Sequence, residues 1–519
     1  MKRPTVLPLP RPPRMSQTQR FLLLSICIGV FAGLLVVCFH FAIDLVSWAT
    51  LGTPIGDDAV ATVLAPLLGG GVAVAFVMLV PEASGSGLAH TKAALYISDG
   101  YVPFKTVVAK FVSCATSIGT GNSLGPEDPA LQMGAGVASL LGRAFALPRE
   151  QLRMVAPIGA AAGIAAAFNT PITAVLFVIE EIIASWNASV LGSIVLSAVS
   201  AVVVSRWFLG DAPLFRVPTF ELRHPSELAV YAVVGLVGGL LGSLFVRALG
   251  ILRGWLSATS VGWRMFHPFV AGALVGAVGL VMPQVMGAGY PVVDNALHDE
   301  FGWRMLLALG LTKMAVTAAC FGAGTPGGMF APTLFIGAMI GGSIGSLAHS
   351  VWPALTSAPS AYVLVGMGTF FAAVFRAPMT SVFMVFEVSA SYVIILPVMV
   401  ANLIAYLVGR RLNRVTFFDM VAAQDGLHLP SQEGRREVRP LRVEDAMRPT
   451  AGPAIAPPAD LAANAAPALY PDLPLDTALR MFGPHRALPV VSRRDATRVL
   501  GTLRVDDVLA AYGIRRPEE

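Results

Sequence analysis

The stretch Gly119–Gly136, GTGNSLGPEDPALQMGAG, places two adjacent carboxylates, Glu127 and Asp128, between apolar segments of the chain. A charge inside a membrane is costly, so an acid there needs a partner, a proton or water, and it marks a functional site by default. Glycines precede these acids, and Pro126 and Pro129 flank them at a position where a helix can begin. Helix N-termini bind anions through their free N–H groups and their dipole. The stretch therefore predicts a titratable carboxylate that competes with a transported anion.

The composition is that of a polytopic membrane protein. Of the 519 residues, 55% are hydrophobic and 13% are charged, whereas soluble domains carry about 25% charged residues. The net charge of +5 does not indicate nucleic-acid binding, because the basic residues gather at membrane-flanking positions. We find no phosphate loop, nucleophile triad or metal-ligand cluster, so we expect neither enzymatic activity nor a cofactor. The cysteines lie in apolar runs and are interpreted as packing residues: Cys27, Cys38, Cys114 and Cys320.

The chain order predicts membrane helices with both termini in the cytoplasm. Residues 1–20 form a basic arm without acids, which we expect to be disordered, and the apolar run Phe21–His40 follows at once. The last apolar segment ends in Arg410 and Arg411, so the positive-inside rule places both ends inside, most simply at a bacterial inner membrane. Several intervening segments are shorter than the roughly 20 residues needed to span a bilayer. Such segments, broken by Gly and Pro, predict discontinuous helices that meet inside the membrane.

An internal repeat divides the predicted transmembrane domain, 21–412, into halves of about 21–210 and 225–412. Five residues of the first half recur 203 positions later: Lys110, Gly119, Gly125, Pro129 and Gly134 match Lys313, Gly322, Gly328, Pro332 and Gly337. Duplicated transporter halves place the substrate site where they meet. Phe330 takes the place of Glu127 in the second half, so only one half carries the titratable group.

The remaining chain is polar and predicts a small α/β domain. Residues 413–441 are interpreted as a linker and 442–519 as the domain, with an Ala/Pro-rich insertion at 451–468. Within the domain we predict helices at 475–483 and 505–512 and strands at 488–491 and 499–503. The predicted fold class is thus an all-α polytopic membrane protein, an inverted repeat of many tilted and broken helices, with a small α/β cytoplasmic domain.

Four stretches resemble the CLC family of chloride channels and proton-coupled chloride transporters, in order and in spacing, over about 21–430. They are GSG at Gly85–Gly87, GPEDP at Gly125–Pro129, Gly159–Glu181, and GMFAP at Gly328–Pro332. The resemblance implies a homodimer in a lipid bilayer with one anion pathway per subunit. It also implies chloride and protons as the substrates, with bound chloride ions in the pathway.

The resemblance assigns anion donors to glycine-rich turns, where backbone N–H groups can approach an anion closely. Ser86 would donate its hydroxyl to a central anion, and the amides of Met329 and Phe330 would donate from an opposing helix end. Gly125 and Gly328 belong to the turns that form the site.

The same resemblance assigns proton transfer to two glutamates. Glu127 would be the gate, which sits in the outer anion site when ionised and swings out when protonated. Glu181 falls on the internal proton-transfer position, with a salt-bridged residue at the helix end as the alternative. Glu180 recurs as Glu387 and is interpreted as structural, whereas the repeat partner of Glu181 is Val388.

Several residues depart from the family pattern. Pro126 removes a backbone donor near the outer site, and Asp128 adds a like charge beside the gate, which favours a proton on one of the two acids. Phe418 stands at the position of the family's pore tyrosine, so one hydroxyl ligand is missing. His90 is interpreted as packed or solvated. Lys110, like its repeat partner, either sets the local potential or snorkels to an interface.

The C-terminal domain resembles a single CBS module. Val443–Met447 resembles its opening strand, and Leu488–Val491 and Gly501–Asp507 resemble its closing half. The resemblance implies an adenine nucleotide contact at Asp507, although Arg504 stands where the ribose-contacting pattern has Ser or Thr. A dimer-pairing or structural role is the alternative.

The favoured function is chloride transport by H+/Cl- antiport through a pore gated by Glu127 in each subunit. An uncoupled voltage- or pH-gated chloride channel is the first alternative. A membrane sensor or scaffold, read out through the CBS-like tail, is the second. A fluoride-selective transporter is disfavoured, because such members replace the Ser86 position and lack the inner glutamate.

Overall fold

A computed structural model describes residues 16–52, 56–183, 188–218, 222–427, 429, 441–449, 467–493, 495 and 498–511. The chain forms two compact units, residues 1–429 and 430–519. Most of the predicted basic arm and nearly all of the predicted insertion at 451–468 lie outside the described residues.

The first half of the membrane unit is helical. Its α-helices are α1 (Gln17–Leu51), α2 (Ala59–Leu79), α3 (Gly87–Tyr96), α4 (Phe104–Gly119), α5 (Glu127–Ala144), α6 (Arg149–Phe168), α7 (Pro171–Phe177) and α8 (Ala188–Leu209). A 3-10 turn at Pro81–Ala83 precedes α3, and a π-helix at Val178–Ile183 continues α7. The first helix is longer at both ends than the predicted Phe21–His40. At its start, the side chain of Ser16 accepts a hydrogen bond from the Gln19 N–H and caps the helix.

The second half repeats this pattern. Its α-helices are α9 (Glu227–Ser257), α10 (Val261–Arg264), α11 (His267–Gly279), α12 (Tyr290–Leu297), α13 (Trp303–Gly322), α14 (Phe330–Val351), α15 (Pro359–Phe375), α16 (Pro378–Ser389), α17 (Ile395–Leu412) and α18 (Phe417–Gln424). A 3-10 turn at Pro283–Val285 corresponds to the one before α3. In the part of the chain that the structure describes, eight helices are long and apolar enough to cross a membrane. The prediction of an all-α polytopic membrane protein with broken helices is confirmed.

The two halves meet around a local two-fold axis. Gly125 and Gly328, which are repeat partners, form an antiparallel bridge with N–H···O distances of 2.8 and 2.7 Å in the two directions. A mutual pair between equivalent residues requires that the two chain segments run in opposite directions, as an inverted repeat demands. The bridge also explains why helices α5 and α14 begin side by side, two residues beyond each glycine.

Small residues allow the central helices to approach closely. A methyl group on Gly134 of α5 would overlap the carbonyl oxygen of Gly159 in α6. A methyl group on Gly337 of α14 would overlap the carbonyl oxygen of Gly366 in α15 in the same way. Helix pairs in membranes gain stability from such close backbone packing, because lipid supplies no hydrophobic drive between them.

The second unit is a small α/β fold. Its described helices are α19 (Val443–Ala446), α20 (Leu475–Met481) and α21 (Val505–Ala511). Its strands are β1 (Arg448–Pro449), β2 (Ala487–Val491) and β3 (Val499–Arg504), which pair antiparallel in the order β1-β3-β2. A separate apolar core lies between them, formed by Val443, Leu469, Leu475, Ala478, Phe482, Leu488, Val490, Leu503 and Val508.

The prediction of an opening strand at Val443–Met447 is wrong. Residues Val443–Ala446 form a helical turn, and the strand starts only at Arg448. The cause is local: the Asp445 carboxylate accepts a hydrogen bond from the Arg442 N–H at 2.8 Å, and the Met447 N–H bonds back to the Val443 carbonyl. An Asp three residues after a helix start favours the turn over an extended chain.

Candidate functional site

Three helix N-termini converge at the Gly125–Asp128 turn: those of α3, α5 and α14. The bridge between Gly125 and Gly328 sets α5 beside α14. Helix α3 begins against the same turn, since a methyl group on Gly87 would overlap the backbone carbonyl of Asp128. We call this turn, together with the starts of α3, α5 and α14, the junction. Each helix end directs free N–H groups and a partial positive charge towards it, so the junction is suited to negative charge.

Glu127 is the first residue of α5, and its carboxylate reaches the first turn of α14. Its side chain is fully buried, and Oε2 accepts a hydrogen bond from the Ala331 N–H at 3.3 Å. The other oxygen, Oε1, is buried and has no hydrogen-bond partner among the described residues. The carboxylate thus occupies the N-terminus of a helix from the opposite half, as a bound anion would, and it is only partly satisfied there.

Gly125 makes room for this carboxylate. A methyl group at Gly125 would lie 2.5 Å from Glu127 Oε2 and 2.9 Å from the Ala331 Cβ. The glycine is therefore required by close approach, because any larger residue would displace the acid from the α14 N-terminus.

Met329 and Phe330 stand at the start of α14, as the prediction requires. They are the N-cap and the first residue of the helix, so their amide N–H groups have no intrahelical acceptor. Both side chains are buried. Their roles as anion donors stay predictions, and the structure supplies the geometry on which those roles depend.

The rings of Phe330 and Phe418 belong to one aromatic cluster. Their centroids are 6.2 Å apart, and both rings stack on Phe375, at 5.0 and 4.9 Å. Phe177 contacts both rings edge-on. The position of the family's tyrosine therefore lies beside α14, and the aromatic cluster offers no hydroxyl donor there.

Ser86 is the N-cap of α3, but its hydroxyl meets a partner that the sequence did not predict. Ser86 Oγ donates to Asp128 Oδ1 at 3.3 Å. The amides of the next two residues, Gly87 and Leu88, donate to the same carboxylate at 2.9 and 3.0 Å. Sequence reasoning treated Asp128 only as a like charge beside Glu127. Its partners are 40 or more positions away in the chain, and the helix packing alone brings them together.

Glu181 lies in the π-helix Val178–Ile183 and pairs with Lys92 of α3. The Nζ–Oε2 distance is 3.5 Å, and each side chain is 5% exposed, so this is a buried ion pair. Sequence reasoning missed Lys92, although a lysine six residues after Ser86 in a short apolar segment was an available signal. π-helical turns occur frequently at functional sites.

Glu180 and Glu387 form a symmetric pair of caps. Glu180 accepts hydrogen bonds from the Thr380 N–H and hydroxyl at 3.0 and 2.8 Å, at the start of α16. Glu387 accepts from the Thr173 N–H and hydroxyl, both at 2.6 Å, at the start of α7. Each half thus caps a helix of the other, which agrees with a structural interpretation of Glu180.

Lys110 and Lys313 are fully buried and hold equivalent loops. Lys110 Nζ donates to the Ala83 and Gly85 carbonyls at 3.0 and 2.9 Å, just before Ser86. Lys313 binds the carbonyls of Val285 and Gly287 in the same way. The snorkelling alternative is wrong, because both ammonium groups donate hydrogen bonds to loop carbonyls inside the protein.

His90 is half-buried, and its ring nitrogen Nε2 lies 3.0 Å from the Ser84 carbonyl, so it packs against the same loop. A cavity of about 500 Å³ lies next to Pro126, the residue before Glu127, and its lining also includes His40, Asp44 and Tyr290.

In the C-terminal unit, Asp507 forms an ion pair with Arg448. Both of its carboxylate oxygens accept hydrogen bonds from Arg448 Nε, at 3.0 and 3.1 Å, and Arg448 Nη2 adds a bond of 2.7 Å. Asp507 raises the pKa of the Arg448 guanidinium through this pair. The pair ties β1 to α21, so the predicted nucleotide contact would require Asp507 to exchange this partner.

The fold and the junction define a polytopic membrane protein of two inverted halves, with buried acids on helix N-termini. A family model described as "Voltage gated chloride channel" matches residues 69–410. The chain is 31% identical over 410 residues to the H(+)/Cl(-) exchange transporter ClcA of Vibrio cholerae. The alignment covers 76% of this chain and 86% of that protein. It is 33% identical over 344 residues to a protein of Ralstonia nicotianae named as a ClcB-like chloride channel. That alignment covers 65% of this chain and 80% of the relative.

Among solved structures, a slow cyanobacterial Cl-/H+ antiporter matches with a TM-score of 0.70 and 26% identity, over 78% of this chain and 98% of that one. The chain belongs to the voltage gated chloride channel family, the CLC family of channels and transporters. The predicted family is confirmed, and the family match ends before the C-terminal unit.

Proposed function

We propose that this protein exchanges chloride for protons across a membrane. The observation that carries the proposal is the Glu127 carboxylate, buried on the N-terminus of α14 with one oxygen bonded and one unpartnered. A carboxylate in that position is a tethered competitor of a transported anion, and it can also carry a proton. The relatives named as H(+)/Cl(-) exchangers support the same function.

The gate follows from the charge of this one side chain. Ionised Glu127 is attracted by the α14 helix end and blocks the outer anion position. Protonated Glu127 loses that attraction, and since Oε1 has no partner to retain it, the side chain leaves. Chloride then binds the freed N–H groups at Ala331, Phe330 and Met329. Binding through partial charges, without a fixed cation, lets the anion leave again.

Glu181 serves as the inner proton acceptor in this scheme. Its partner Lys92 stabilises the ionised form inside the protein, and a proton that neutralises Glu181 releases that pair. The adjacent Glu180 has a different task, since it caps α16 of the other half and keeps the two halves joined.

The protein works as an integral membrane homodimer in this proposal, with one pathway per subunit and both termini in the cytoplasm. The basic ends of the apolar region support the orientation. Cysteine labelling of intact cells from each end would test it, and cross-linking in membranes would test the dimer. The C-terminal unit pairs subunits or binds an adenine nucleotide near Asp507; nucleotide titration of the purified protein separates the two.

An uncoupled chloride channel is the second candidate. The absence of a hydroxyl at Phe418 favours it, because one donor that holds chloride between proton steps is missing, and the ClcB-like relative carries a channel name. A chloride gradient across liposomes decides. An exchanger drives protons uphill, a channel moves chloride without protons, and a sensor or scaffold moves neither.

A further inference from the structure

Asp128 has a donor set that is built by another helix. Its carboxylate accepts from the Ser86 hydroxyl and from the amides of Gly87 and Leu88, at 3.3, 2.9 and 3.0 Å. These are the first groups of α3, a ten-residue helix. Ser86 is the N-cap of α3, yet its own hydroxyl does not cap the helix, so the carboxylate of Asp128 takes the place in front of the helix end.

The site of this carboxylate is buried and shaped for it. Asp128 is 2% exposed and is the one buried aspartate among the described residues. A methyl group on Gly328 would lie 2.9 Å from the Asp128 Cβ, so glycine is needed to accommodate the side chain. The nearby Lys110 ammonium is bonded to the Ala83 and Gly85 carbonyls instead of Asp128. The hydrogen bonds to the acid thus come from neutral donors, as they would to a mobile anion, and the Lys110 charge adds a Coulomb attraction without a direct bond.

We propose that Asp128 is a second tethered anion of the pathway, which occupies the Ser86 end of the anion site. The inference rests on the proposed transport function. Glu127 covers the N-terminus of α14, and Asp128 covers the N-terminus of α3, so adjacent residues block two successive helix ends. Chloride can bind the Ser86 hydroxyl only when the Asp128 carboxylate moves away from it. Asp128 thereby lowers the chloride affinity of the resting protein.

Chloride titration of chloride-depleted, detergent-solubilised protein by calorimetry tests this directly. Asp128→Asn removes the charge and keeps the shape, and Asp128→Gly removes the competitor. A carboxylate worth one charged hydrogen bond corresponds to roughly tenfold tighter chloride binding in either variant. The control is Glu227→Gln, another buried acid, which accepts from Tyr231, Tyr362 and Ser357 away from the junction. It leaves the chloride affinity unchanged.

A structural cap predicts the opposite result, because an α3 end without its carboxylate would loosen the Ser86 loop. Unchanged or weaker chloride binding in folded Asp128 variants overturns the proposal. A second measurement needs no Asp128 variant. Infrared difference spectra of protein labelled with 13C-aspartate, with and without chloride, should show a shift of an aspartate carboxylate band, and the shift should persist in Glu127→Gln. Chloride binding without that shift also overturns the proposal.

Failure of the function and failure of this inference give different results. A wild-type protein that neither binds nor moves chloride rejects the proposed function itself. A wild-type protein that exchanges chloride for protons, but whose aspartate signal and Asp128 variants behave as a cap, rejects only the second tethered anion.

Discussion

Replacing Glu180 or Glu387 with glutamine removes the charge from a cap that joins the two halves. Glu387 accepts three hydrogen bonds at α7, from the Ile172 N–H at 2.9 Å and from the Thr173 N–H and hydroxyl at 2.6 Å. A hydrogen bond to a charged group contributes about 1.5–3 kcal/mol and a neutral one about 1 kcal/mol. Both caps are half-buried, so solvent screens part of the difference, and we expect each change to lower the free energy of unfolding by about 1–3 kcal/mol.

Glu181→Gln is the matched substitution, one residue after Glu180. We expect it to change proton coupling and to leave the stability of the protein largely intact. It removes the partner of Lys92 but no helix cap, so the loss falls on proton movement. Thermal melting in detergent measures the stability of the variants, and chloride-driven proton uptake into liposomes measures coupling. Glu180→Gln and Glu387→Gln should melt early and remain coupled, whereas Glu181→Gln should move chloride without protons.

Two results would refute this division of roles. One is loss of coupling in Glu180→Gln at wild-type stability. The other is full coupling in Glu181→Gln, which would leave Glu181 as a salt-bridged residue at the end of its helix. A double variant, Lys92→Met with Glu181→Gln, controls for the unpaired ammonium that the single change leaves buried.

Three further substitutions probe the pathway. Gly125→Ala brings a methyl group to 2.5 Å from the Glu127 carboxylate, so chloride efflux from liposomes should change at least tenfold. The control is Gly192→Ala, where a methyl group meets nothing within 4 Å, and it should leave chloride efflux unchanged. Lys92→Met should slow proton-coupled flux, unlike Lys105→Met, which breaks only an exposed pair; equal effects would remove the special role of the buried lysine. Phe418→Tyr restores a hydroxyl beside α14 and should tighten chloride binding by about threefold to tenfold in calorimetry; weaker binding would count against an anion position there.

The fold was predictable from the sequence because glycines and lysines of the first half recur at a constant spacing in the second half. Gly125 and Gly328 pair across the local axis, and Lys110 and Lys313 hold equivalent loops, as their spacing of 203 positions suggested. Such positions tolerate few residue types, so the pattern survives in both halves. The same repeat singled out Glu127, because its partner Phe330 cannot titrate, whereas the gating role came from the family resemblance and stays a prediction.

Side-chain partners across helices were not predictable. The bond of Asp128 to Ser86 and the pair of Lys92 with Glu181 depend on how α3 docks against α5 and the π-helix, and no local pattern encodes that docking. The turn at Val443–Ala446 was missed for another reason. Its apolar first residue and short length fit a strand equally well, and the hydrogen bonds of Asp445 and Met447 favour the turn.

The reversal potential of purified protein in a planar bilayer, under opposing chloride and proton gradients, tests the central claim most directly. An exchanger has a reversal potential between the chloride and proton equilibrium potentials, and it moves when the proton gradient alone is changed. In Glu127→Gln, which cannot carry the proton, we predict a reversal potential at the chloride equilibrium value. A wild-type reversal potential that ignores the proton gradient would contradict proton-coupled exchange gated by Glu127.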